Sequence, residues 1–226
     1  MRPAAARAAE SLGAIVRAEA RAARAAAARI PQPMAADEAY MALALDEARQ
    51  AAAAGEVPIG AVVVHAPIDR ATRRPLAEPA VIARAHNLRE TTQSPSAHAE
   101  FLALEEAARA LGAWRLPDCT VYVTLEPCIM CAGLMHQARV RRCVFGAPDP
   151  KAGACGTLYA IHGDERLNHR FEVVPGVGRE ESQRLLREFF AARRKGAPAA
   201  VKGAAGGSTR APGARGEAEG EGVDRP

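Results

Sequence analysis

Between residues 34 and 194, short runs of β-branched and apolar residues alternate with longer mixed stretches, and neither end of the chain continues the pattern. Asp37 stands where it can cap a helix running to Ala54, with Gly55 as its stop. VPIGAVVVH (57–65) and AVIAR (80–84) read as strands, and the Pro/Arg-rich loop 66–79 between them suits a long hairpin connection. The pattern predicts a helix from Pro95 to Leu111, a strand over CTVYVT (119–124), and a helix to Ala138 with Pro127 in its first turn. A strand RRCVFG (141–146), a Gly-rich loop to Gly156, a strand FEVV (171–174) and a helix from Arg179 to Arg194 complete the series. Strands alternating with helices predict an α/β layered domain. There is no internal repeat.

Composition limits the class of protein. Hydrophobic residues make up 49% and charged residues 25%, the balance of a soluble chain that can bury a core. No stretch of 18 strongly apolar residues occurs, so no membrane partner is expected. Five cysteines do not suggest a disulfide-stapled secreted domain.

The net charge of +4 is unevenly placed. Residues 1–33 hold six Arg against Glu10 and Glu19, whereas residues 34–194 hold 19 basic against 20 acidic residues. Overall charge is therefore a poor argument for nucleic-acid binding. The first 33 residues include 14 alanines and offer little to bury. They read as a disordered extension or an over-long start, with an organelle transit peptide or a basic RNA-binding arm as the other readings. Residues 195–226 are Gly/Ala/charged low complexity and are expected to be disordered. The expected folded unit is residues 34–194.

Two short motifs carry candidate chemistry. His98-Ala99-Glu100 opens one predicted helix, and Cys128-Ile129-Met130-Cys131 opens another directly after Pro127. Cysteines at i and i+3 share a helix face, and a helix N-terminus favours the thiolates that a metal needs. One imidazole nitrogen and two thiolates suit zinc, and three protein ligands leave a fourth position open, as in a catalytic site that holds water. The metal would lower the pKa of that water toward ~7, and Glu100 is placed to shuttle protons. The Cys-x-x-Cys alone also fits a redox pair, or a structural zinc site closed by Cys119, Cys143 or Cys155. With 26 residues between Glu100 and Pro127, the two motifs together point to catalysis.

H-x-E followed by P-C-x-x-C resembles the signature of the zinc-dependent nucleobase and nucleoside deaminases. The resemblance implies a cytidine deaminase-like three-layer α/β/α sandwich on a mixed central sheet. It also implies one zinc per subunit on His98, Cys128 and Cys131, with Glu100 as proton donor and acceptor. Further text, in order, is similar to the branch of bacterial tRNA-specific adenosine deaminases: EVPIGAVVV (56–64), HNLRE (86–90), SAHAE (96–100), TVYVTLEPCIMCAGLM (120–135), VFGAPDPKAGACGTL (144–158), LNHR (167–170) and EFFAARR (188–194). That branch implies deamination of adenosine to inosine at the wobble position of a tRNA anticodon stem-loop, by a cytoplasmic homodimer.

The same resemblance gives Asn87 a contact to the flipped base, the alternative being a strand-end turn residue. Asp149 resembles a position lining the nucleotide pocket, or it caps its loop. Phe189, Phe190, Arg193 and Arg194 would contact the tRNA; otherwise they form a helix with a core stripe and a solvated charged end. The long loop 66–79, with Arg70, Arg73 and Arg74, and the two terminal segments depart from the family pattern. The alternatives are a deaminase of a free base or nucleotide, of guanine or cytosine type, and a zinc-stabilised RNA-binding module without catalysis.

Overall fold

The computed structural model describes residues 34–72 and 74–196; the terminal segments, and Arg73 in the long loop, lie outside the described residues. Helix α1 (Asp37–Ala53) is followed by the hairpin of β1 (Gly60–His65) and β2 (Ala80–His86). A one-turn helix α2 (Arg89–Thr92) precedes α3 (Ala99–Leu111), and β3 (Cys119–Leu125), α4 (Ile129–Gln137) and β4 (Arg142–Ala147) follow. A 3-10 turn (Ile161–Gly163), β5 (Glu172–Pro175) and α5 (Arg179–Arg194) end the described fold.

The strands lie in the order β2-β1-β3-β4-β5. β1 runs antiparallel to β2 and β3, while β3, β4 and β5 are parallel, so the sheet is mixed as expected. Both faces are covered, and strand residues divide between them with period two. Val62, Val64, Tyr122, Val144 and Val174 pack with Met41, Ala44 and Leu45 of α1 on one face. Ala61, Val63, Val121, Val123, Cys143, Phe145 and Val173 pack with Ala103 and Leu104 of α3 and Met135 of α4 on the other. Burial on two sides is why these strands read as continuous apolar runs.

Several boundaries differ from expectation, each for a local reason. Asp37 does not cap α1; the N-cap is Ala36, and the Asp37 carboxylate lies wholly buried in the first turn. There it accepts hydrogen bonds from Arg142 Nη1 (2.7 Å) and Nη2 (2.9 Å) and from the Tyr122 hydroxyl (2.9 Å). Gly55 (φ 78°) does end α1, in the left-handed conformation that glycine adopts freely. Strand β1 begins at Gly60, because Pro58 has no N–H to give a ladder. A Cβ at Gly60 would lie 2.5 Å from the Ala48 nitrogen, so helix and strand approach closely only because glycine stands there. The helix expected from Pro95 starts at Ala99, and that expected around Pro127 starts at Ile129, with His98 and Cys128 at the N-caps. The short helix α2 had no periodic signal. The loop 66–79 continues the β1–β2 hairpin irregularly, with Ile68 bridged to Pro75 and Arg70 paired to Asp118 at 2.8 Å.

Candidate active site

His98 and Cys128 each occupy the extended residue immediately before a helix, at φ −77°, ψ 149° and φ −74°, ψ 175° respectively. Their side chains therefore leave the N-terminal ends of α3 and α4, which converge beyond the carboxyl end of β3. That is where open α/β sheets gather ligands. Cys131 lies one turn into α4. The Cys128 and Cys131 sulfurs lie 3.6 and 3.7 Å from His98 Nδ1. Among the described residues these three form a group whose ligand atoms all lie within 4.8 Å of one another.

The donor set fits a tetrahedral ion. A zinc bound by nitrogen at about 2.0–2.1 Å and by sulfur at about 2.3 Å spans N···S edges of about 3.6 Å. The two sulfurs are shifted in opposite directions. The Cys131 thiol and His98 hold Cys128 as a thiolate against the cost of its burial, bringing its pKa down to about 4. Cys131 is shifted the opposite way, first by its hydrogen bond to Cys128 and then by burial. His98 is raised, chiefly by Cys128.

Glu100 is in the first turn of α3 and only 4% exposed. Burial pushes its carboxyl up to about 7, with the Cys128 and His98 charges and a hydrogen bond to Cys131 also acting on it. It thus lies against the sulfur–imidazole group, as the H-x-E spacing predicts. Cys119, Cys143 and Cys155 are buried free thiols outside the group. Burial holds Cys119 up at about 12, and Cys143 is raised by its hydrogen bond with Cys155 and by burial. None of them closes a fourth ligand position.

The remaining sequence candidates fall in different places. Asn87 is buried at the end of β2, and its Nδ2 donates to Glu56 Oε2 at 2.9 Å. The hydrogen bond from Leu88 N–H to the Ala97 carbonyl (3.0 Å) ties its segment to the residue before His98. Asp149 Oδ1 accepts the Lys151 N–H at 2.9 Å, the loop-capping arrangement. Phe189, Phe190, Arg193 and Arg194 lie at the far end of α5, apart from this group in sequence and fold. Phe190 is 44% exposed, and the Arg193 guanidinium lies 5.5 Å from the Phe189 ring centroid. Leu185 of α5 packs partly buried against the core and Phe189 is half-buried, whereas Phe190, Arg193 and Arg194 are exposed.

Sequence reasoning gave no role to two buried carboxylates. Glu56 is fully buried and accepts from Asn87, Glu90 and Thr91. Glu126 is 2% exposed and accepts the Asp149, Cys155 and Thr157 N–H groups, each at 3.0 Å, and the Thr157 hydroxyl. Their partners are distant in sequence, so nothing local marked them. The one available signal was a Glu directly beside each of the Val-Pro-Ile-Gly and Pro-Cys motifs.

Known proteins place this arrangement. The family model for MafB19-like deaminases matches residues 35–194. A tRNA-specific adenosine deaminase of Bacillus subtilis (strain 168) is 51% identical over 169 residues, covering 75% of this chain and 98% of the relative. One from Haemophilus influenzae is 42% identical over 159 residues, covering 70% of this chain and 86% of the relative. A solved structure from work on A-to-I editing by tRNA:A34 deaminases superposes with TM-score 0.56 at 41% identity, covering 65% of this chain and 98% of that one. The guanine deaminase of Nitrosomonas europaea superposes with TM-score 0.56 at 27% identity, covering 71% and 88%. With the His-Cys-Cys group, the buried Glu100 and the mixed-sheet sandwich in place, the chain belongs to the MafB19-like deaminases and, among them, to the tRNA-specific adenosine deaminase family.

Proposed function

We propose that this chain hydrolyses adenosine to inosine at the wobble position of tRNA, using one zinc ion per subunit held by His98, Cys128 and Cys131. The observation that carries the reading is the buried Glu100, two residues from His98 of a close-set His-Cys-Cys group, in a chain 51% identical to a tRNA-specific adenosine deaminase. Zinc bound there supplies the Lewis acidity that makes water nucleophilic at neutral pH. Glu100 takes a proton from the water as its oxygen bonds to C6, and returns it to the amino nitrogen as the C6–N bond breaks and ammonia leaves. Asn87 meets the edge of the flipped base, and the loop carrying Asp149 borders it. An unpaired anticodon loop makes that extrusion cheap.

Residues 34–194 form the deaminase domain, between an N-terminal Ala/Arg extension and a low-complexity tail. The enzyme acts as a homodimer in the cytoplasm, with Phe189, Phe190, Arg193 and Arg194 on the RNA. Among the described residues no helix is long and apolar enough to cross a membrane. The shared fold with a guanine deaminase favours a free-base substrate as the second reading.

Zinc-loaded protein should convert the adenosine of an anticodon stem-loop to inosine, read by nuclease digestion and chromatography. Glu100→Ala should keep its zinc and lose about 100- to 10,000-fold in rate. No inosine from zinc-bound wild type, with turnover of guanine or cytosine instead, would move the assignment to the free-base reading.

A further inference from the structure

The mechanism above gives Glu56 nothing to do, yet its carboxylate is wholly buried. Its oxygens face only donors. Oε2 accepts from Asn87 Nδ2 (2.9 Å) and from the Glu90 N–H (3.2 Å), and Oε1 accepts from the Thr91 N–H (2.6 Å). All three donors belong to the short segment that leaves β2 for α3. That segment is fixed at its other side by the Leu88–Ala97 hydrogen bond, one residue before His98.

A planar amide has two orientations that exchange its oxygen and nitrogen. With Oδ1 turned toward Glu56, two acceptors would face each other across a buried contact, at the cost of an unpaired polar group. Glu56 therefore selects one orientation, commits one Nδ2 hydrogen to the protein, and turns Oδ1 away from itself. We infer that Glu56 is a positioning residue for nucleoside recognition: it sets the donor and acceptor order that Asn87 shows to the base. This rests on the reading that Asn87 contacts the base. Gln at position 56 cannot substitute, because its one carbonyl oxygen cannot serve donors that now converge on two oxygens. Either the Asn87 amide or the Thr91 N–H would then face an NH2 group.

A double-mutant cycle on the zinc-loaded, full-length enzyme tests this. Single-turnover rates and KM for the adenosine stem-loop are measured for wild type, Glu56→Gln, Asn87→Ala and the double variant, with zinc content and thermal midpoint recorded for each. Misorientation of a substrate contact costs roughly 10- to 100-fold. The expected result is a loss of that size in kcat/KM for each single variant, unchanged zinc, and a double variant no slower than Asn87→Ala. Pairing Glu56→Gln with Asn87→Asp should restore part of the rate, since the Gln amide can donate to the new carboxylate.

The inference is overturned if Asn87→Ala is slow while Glu56→Gln is normal, if the two losses multiply, or if Glu56→Gln acts by releasing zinc. A wild-type rate for Asn87→Ala would instead sink the base-contact reading beneath it. Should Glu56→Gln fail to fold, Glu56→Asp carries the same cycle, keeping the charge but falling a methylene short of Asn87.

Discussion

Replacing Asp37 by Asn tests whether the fold is held by a buried ion pair remote from the chemistry. Asp37 has 0% and Arg142 only 3% of its side chain exposed, and the guanidinium presents Nη1 and Nη2 to the carboxylate. Asn keeps the shape and removes the charge, leaving Arg142 with Glu172, whose side chain is 42% exposed. Breaking a buried pair costs about 3–5 kcal/mol, and the surviving Glu172 contact argues for the lower end. A loss of about 3 kcal/mol lowers Tm by about 6–12 °C for a domain of this size. With an m-value of about 2 kcal/mol/M it lowers the urea midpoint by about 1.5 M.

Burial opposes ionisation of Asp37, but the Arg142 hydrogen bonds, with those of Met34 and Tyr122, hold its pKa below the ordinary 3.8. A depressed carboxyl pKa stabilises above the unfolded value, and that stabilisation is lost as pH falls through the folded one. The gap between wild type and Asp37→Asn should therefore be constant near neutrality and close only below about pH 4. Both proteins carry the same His-Cys-Cys group, so release of any bound metal cancels in the difference. Urea titrations followed by circular dichroism at several pH values measure it, and deamination by the folded variant should match wild type, since Asp37 packs on the face of the sheet opposite His98. A gap under about 1 kcal/mol at pH 7, or one undiminished at about pH 2, would refute the reasoning.

Three other substitutions have distinct signatures. Cys131→Ala removes one of the three proposed ligands and should leave less than one zinc per chain by elemental analysis after dialysis; full occupancy would mean that the metal sits elsewhere. Gly60→Ala would place a methyl against the α1 backbone, 2.6 Å from Glu47 Cβ, and should destabilise by about 1–3 kcal/mol in the same urea titration. Glu126→Gln takes an acceptor from the Asp149, Cys155 and Thr157 N–H groups, so those amides should exchange hydrogen faster while the α1 amides do not change.

Local features of the sequence were legible because their causes were local. The inner strands β1, β3 and β4 announced themselves as apolar runs, since a sheet covered on both faces has no polar side to alternate with. His98, Glu100, Cys128 and Cys131 were legible because each pair is fixed by the start of one helix, and spacing within a helix turn can be read directly. Asp37 was misread as a cap because the local rule for an acidic residue at a helix start has no knowledge of Arg142, 105 residues away. Glu56 and Glu126 went unassigned for the same reason, as their partners lie in segments whose course only the fold determines.

Those two carboxylates explain how irregular backbone can border the His-Cys-Cys group without being loose. Segment 87–97 lies before the helix carrying His98, and segment 148–160 follows the strand beside the one that leads to Cys128. Neither can join the ladder, so their N–H groups must find acceptors elsewhere or lose water at a cost. A buried carboxylate has two oxygens and room for several donors. Glu56 serves two backbone donors and Asn87, and Glu126 serves three backbone donors and Thr157. In the second segment Gly153 lets the turn close, because a Cβ there would lie 2.6 Å from the Asp149 carbonyl oxygen, and its pairing with Cys128 brings the loop onto the His-Cys-Cys group. The helices aim His98, Cys128 and Cys131 at one another, and the two glutamates hold the segments at their flanks. Neutralising either glutamate should therefore change how substrate is held before it changes how metal is held.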